Sequence, residues 1–98
     1  MRTGTHQIIT AFINGKAKTI KTTRTDGQSI YYHGNLIAWR NEDGTVFCTL
    51  AGWGTPTTRE RLNALALKLT GRQRFHQHKH VQYYDDRPID TNEIIQLI

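Results

Sequence analysis

Apolar and polar residues alternate in short runs along this chain, and the early runs stop at dipeptides that tolerate positive φ. "NG" at 14–15, "DG" at 26–27, "GN" at 34–35 and "DG" at 43–44 stand eight to twelve residues apart. Two-residue hairpin turns need such dipeptides. Four of them at this spacing predict an antiparallel meander of about five strands. In "HQIITAFI", Ile8 and Phe12 fall on one alternating face and Ile9, Ala11 and Ile13 on the other. That pattern suits a strand covered on both sides. "KAKTIKTTRT" has Ile20 as its one large apolar residue, and its lysines suit an exposed edge. "QSIYYH", "LIAWR" and "TVFCTL" are β-branched and aromatic, as strands prefer. With Gly34 and Asn35 as the turn, Tyr32 would oppose Ile37 and Ile30 would oppose Trp39.

"AGWGTP" breaks this period, and a helical one follows. Thr57 is positioned to cap, with Glu60 three residues on as its capping-box partner. Leu62, Leu65, Ala66 and Leu69 recur at helical spacing, and Gly71 supplies a stop. This stripe needs a sheet face to cover. Arg59, Arg61, Asn63 and Lys68 are then left mainly toward solvent. The chain returns to strand from about Arg74 to Tyr84, turns through "YDDRPID", and closes with "TNEIIQLI" as a short helix or last strand. The expected fold is α+β: a meander, one amphipathic helix on the sheet, a further strand or hairpin and a short C-terminal element, in one domain spanning 1–98.

Charge changes this picture by its placement. No acid precedes Asp26, whereas Arg2, Lys16, Lys18, Lys21 and Arg24 do, and no acid lies between Glu60 and Asp85. The last fourteen residues hold Asp85, Asp86, Asp90 and Glu93 against Arg87 alone. A basic body with an acidic tail implies an anionic partner, or a tail that folds back on the body. No apolar run approaches the roughly 20 residues that span a bilayer, so no membrane partner is expected. The polar start "MRTGTHQ" lacks a secretory apolar core, which makes the cytoplasm the default location. Cys48, the single cysteine, excludes an internal disulfide and lies in the apolar run "VFCTL", where a small buried hydrophobe is the expected role.

The stretch "FHQHKHVQYY" sets His76, His78 and His80 two apart. On one continuous strand they would share a face with Arg72, Arg74 and Tyr84. Zinc would want neutral imidazoles and further ligands, but the neighbours are cations and no CxxC or HExxH occurs, so no metal is assigned. Nucleic acid uses the same residues better: arginine grips phosphate with paired hydrogen bonds, and histidine and tyrosine add donors and stacking surface. Lys16, Lys18, Lys21 and Arg24 offer a second set of phosphate contacts, and Arg59 and Arg61 a third at the helix start. The competing explanation is surplus charge that serves solubility alone. Trp53, between two glycines, is either a partner anchor or a ring folded back over the core, the latter being expected.

No serine or phosphate-cradling motif is present, Ser29 is the only serine, and Asp85 and Asp86 lie in a turn; no enzyme activity or cofactor is expected. The segments "DGQS", "HGNLIA", "AGWGTPTTRERLNAL" and "VQYYDDRPID" resemble a group of small proteins encoded by tailed bacteriophages. The likeness covers about two-thirds of the chain and carries no catalytic or binding signature. It implies a phage origin and action in the host bacterial cytoplasm. The residues themselves point to a small non-enzymatic protein that binds nucleic acid mainly through phosphate. The alternative is a module that docks on a host protein or on itself, through a sheet edge and Trp53. The sequence does not distinguish DNA from RNA, nor fix the oligomeric state.

Overall fold

The computed structural model describes residues 3–98, so Arg2 lies outside the described residues. It is an α+β fold. Helix α1 (Thr3–Ile13) leads into a meander of β1 (Lys18–Ile20), β2 (Thr23–Thr25), β3 (Ser29–Tyr32), β4 (Asn35–Arg40) and β5 (Val46–Cys48). Helix α2 (Pro56–Thr70) follows, then a hairpin and a short third strand: β6 (Phe75–His78), β7 (Val81–Tyr84) and β8 (Arg87–Ile89). The last strand, β9 (Ile95–Gln96), returns beside β5. The result is a six-stranded sheet in the order β1-β2-β3-β4-β5-β9 and a three-stranded sheet β6-β7-β8, antiparallel throughout.

The largest departure from expectation is α1, where "HQIITAFI" is helical. Thr5, Ile8, Ile9 and Phe12 fall at i, i+3, i+4 and i+7 and are buried, while Ile13 is left exposed. Both periods fit these eight residues, and burial against the sheet selects the helical one despite three β-branched isoleucines. "NG" at 14–15 accordingly stops a helix instead of turning a hairpin. Gly15, at φ 69°, donates to the Phe12 carbonyl and Lys16 N–H to the Ala11 carbonyl, the paired bonds of a Schellman motif.

Three further registers depart from expectation. "KAKTIKTTRT" is two strands folded at Lys21-Thr22, with Ile20 opposite Thr23. The β3–β4 turn is His33-Gly34, both at positive φ, so Tyr32 opposes Asn35. A bulge after Ile30 then places Ile30 opposite Ala38 and Ser29 opposite Trp39. Finally, the run Arg74–Tyr84 is a hairpin folded at Lys79-His80, two non-glycine residues at φ 50° and 66°.

Both helices pack on one face of the six-stranded sheet. Ile30, Ala38, Val46 and Cys48 point inward and meet Ile8, Ile9 and Phe12 of α1 and Leu62, Leu65 and Ala66 of α2 in one buried cluster. Thr55, not Thr57, caps α2: its hydroxyl accepts from Thr58 N–H, and Gly71 ends the helix at φ 90°. Glu60 closes no capping box and instead accepts from Thr5 Oγ1 at 2.9 Å, joining the helices. Arg40, unremarked in the sequence, anchors α1. Its guanidinium lies 4.3 Å over the Phe12 ring and donates to the Phe12 and Gly27 carbonyls at 2.8 and 2.9 Å.

Candidate nucleic-acid interface

The face of the six-stranded sheet away from the helices carries aromatic side chains. Strand alternation turns Arg24, Tyr31, Trp39 and Phe47 outward, opposite to the buried Thr25, Ile30, Ala38 and Cys48. The Arg24 guanidinium lies 4.0 Å over the Tyr31 ring, and Trp39 stacks on Phe47 at 6.0 Å and 15°. Leu36, opposite Tyr31, is 38% exposed between them. None of these side chains belongs to the buried cluster or packs against it. The signal was present in "IYY", "IAW" and "VFC": large aromatics stand at the positions where alternation wants polar residues.

The predicted cations divide into three places. Lys16, Lys18 and Lys21 are exposed at the edge formed by β1, and among the described residues they join no ion pair. Lys16 and Lys18 flank α1 beside His6 and Gln7, and Lys21 occupies the hairpin turn, so of this group Arg24 alone reaches the open face.

The α2 group serves the fold instead of solvent. The Arg59 guanidinium donates to the Gly54 carbonyl, Gln77 Oε1 and Gln82 Oε1, each at 3.0 Å, tying the helix start to the β6–β7 hairpin. Arg61 stacks 4.0 Å over Tyr32 and donates to Thr23 Oγ1 and the Thr57 carbonyl, both at 2.8 Å. Asn63 clamps β6: its Oδ1 accepts from the Arg74 and Phe75 amides, and its Nδ2 donates to the Phe75 carbonyl. Only Lys68 of the four residues expected toward solvent is exposed.

In the third group the arginines meet the acidic segment, which folds back on them. Asp85 takes Arg74 at 2.8 Å and Arg72 at 3.4 Å. His76 bonds the Asp85 carbonyl at 2.7 Å and stacks on Tyr83. His76 and His78 stay two apart on β6, while His80 lies in the turn, so the hairpin removes only His80 from the row that one strand would have aligned. No group of three or more His, Cys, Asp or Glu is disposed to hold a metal among the described residues. Tyr84 meets Phe75 edge-on at 5.1 Å and packs on the core; burial raises its hydroxyl above the usual phenol range, with Arg74 opposing. Trp53 is not folded over the core: it is 56% exposed. Cys48 is fully buried, and that burial pushes its thiol up to about 12, which leaves it unreactive.

These features define a small two-layer α+β protein whose sheet keeps one aromatic face open. The chain belongs to the Kyanoviridae Gp96 protein family, which matches residues 1–96, and it is a phage-encoded protein. No curated protein and no solved structure matches it. No helix among the described residues is long and apolar enough to cross a membrane.

Proposed function

We propose that this phage protein binds single-stranded nucleic acid on the open face of its six-stranded sheet, without catalysis. The observation that carries this reading is the aromatic row that runs from Arg24 and Tyr31 to Trp39 and Phe47 on a face no helix covers. Bases stack on such rings regardless of sequence, and each stacked base is worth about 1–3 kcal/mol. Lys16, Lys18 and Lys21 border the same sheet at β1 and complement the phosphates of a strand leaving across that edge. The arginines near Asp85 and at the start of α2 have no part in this reading: Arg72 and Arg74 share Asp85, Arg59 is bound to the β6–β7 hairpin, and Arg61 lies over Tyr32 beside the inward Thr23, away from the open face.

A protein partner joined by strand addition finds less support. The two borders of the sheet, β1 and β9, are three and two residues long, which leaves little ladder to extend.

Fluorescence anisotropy of a labelled oligothymidylate tests the proposal. Binding should weaken at least ten-fold between about 50 and 200 mM salt. Trp39→Ala and Arg24→Ala should each weaken it by about ten-fold at low salt. Lys16→Gln, Lys18→Gln and Lys21→Gln together should lower both the affinity and its salt slope. No anisotropy change at low salt, with either DNA or RNA, would sink the reading.

A further inference from the structure

At one end of the sheet, the β3–β4 turn and the loop before α2 enclose a cavity of about 390 Å3 lined by Trp53, Tyr32, His33, Asn35 and Thr57, among others. That volume is in the range of small-molecule sites, about 300–1,000 Å3. Three flat rings form its walls. Tyr32 and His33 stand 4.3 Å apart at 48°, and the Tyr32 hydroxyl donates to Thr57 Oγ1, which fixes its ring. Trp53 makes no ring–ring contact among the described residues, so its indole faces the cavity unpartnered.

The loop that presents Trp53 is tied down. Ala51 and Gly52 are at positive φ, and Gly52 N–H donates to the Thr91 carbonyl. A Cβ on Gly54 would stand 2.8 Å from Gln82 Nε2, so the loop runs close against the β7 side chain there. An exposed tryptophan on a fixed path is a preformed stacking surface.

Tyr32 is also a wall of a second cavity, of about 410 Å3, lined by Lys21, Arg61, Thr5, Thr22 and Thr23. One ring thus separates an aromatic cavity from a cationic one. Lys21 joins no ion pair among the described residues, and Arg61 is held in place over Tyr32 by Thr23 and the Thr57 carbonyl, with Glu60 at 3.6 Å.

We propose that the two cavities form one site for a nucleotide. The base occupies the space between Trp53 and the Tyr32–His33 pair, where Asn35 and Thr57 offer donors and acceptors to its edge. The phosphate meets Lys21 and Arg61 across Tyr32. A flat heteroaromatic ring joined to an anion is the ligand chemistry that both halves share. This site lies on the helix side of Tyr32, apart from the outward Tyr31, Trp39 and Phe47, and does not depend on strand binding there.

The chain has two tryptophans, one in each place, so single-tryptophan variants read the sites separately. In Trp39→Phe, adenosine monophosphate should quench Trp53 saturably, adenosine should bind about five-fold more weakly, and ribose 5-phosphate should leave the emission unchanged. Adding Lys21→Gln should bring the monophosphate down to the affinity of adenosine. Circular dichroism on each variant confirms that it is folded. Failure of all four ribonucleoside monophosphates to quench Trp53 overturns the site. Unchanged monophosphate affinity in Lys21→Gln overturns the phosphate half. In Trp53→Phe, oligothymidylate quenching of Trp39 reports the open face alone. Strand binding there with no Trp53 response in the first variant would dismiss the nucleotide site and leave the sheet reading intact; the reverse pattern would do the opposite.

Discussion

In the six-stranded sheet, Lys16, Lys18 and Lys21 reach solvent with no acid beside them, whereas next to the three-stranded sheet Arg72 and Arg74 converge on Asp85. The local surplus of positive charge in the two stretches looks the same along the chain. What separates them is the turn after each. The turn after β2 spends Asp26 on its own backbone, accepting from the Gln28 and Ser29 amides. The turn after β7 points Asp85 back at the arginines. A cation becomes available to a partner only when the fold supplies no acid for it, and that depends on turn geometry more than on charge count.

The comparison can be broken at its strongest joint. The Gly15 and Gly27 turns meet backbone to backbone, and a Cβ on Gly27 would stand 2.6 Å from the Gly15 carbonyl carbon and oxygen. Gly27 is also at φ 94°. Gly27→Ala should therefore cost about 3 kcal/mol or more in urea unfolding, and detach α1 from the first sheet. Asn63→Ala removes three hydrogen bonds between α2 and β6. It should cost about 2 kcal/mol, and hydrogen exchange should rise first in the second sheet.

Arg74→Ala tests the contrast itself. It should cost about 1 kcal/mol of stability, because its bonds to Asp85 and Thr70 are only partly screened, and should leave oligothymidylate affinity within two-fold. A large loss of affinity would mean that the two regions act together. The smallest effect concerns pH. The Gln28 and Ser29 amides hold the Asp26 carboxyl below its ordinary 3.8. A depressed folded-state pKa stabilises above the unfolded value and loses that contribution as pH falls through the folded one. Asp26→Ala should thus be less stable than the parent at neutral pH, and the gap should close below about pH 4 in a denaturation series.

Much of the fold was legible because it is written locally. The Leu62, Leu65 and Ala66 stripe, Gly71, and the "DG" turns name α2 and most of the meander through side chains only a turn away. Residues 6–13 were not legible, because Ile8, Ile9 and Phe12 satisfy both periods and only the inner sheet face chooses between them. The Lys79-His80 turn carries no glycine to announce it. The open face was half legible: the aromatics are plain, but which side the helices cover is a tertiary outcome. Arg59 and Asn63 read as surface residues, and Arg40 drew no reading, because their hydrogen-bond partners are backbone and side-chain groups distant in sequence.

Cys48, buried at the end of β5, has a practical corollary. With its sulfur protonated and out of reach of reagents, the natural chain is chemically silent toward maleimides. A cysteine introduced at Lys18 or Asn35 would then be the one labelled position, so a dye could report occupancy at either location without removing the native thiol.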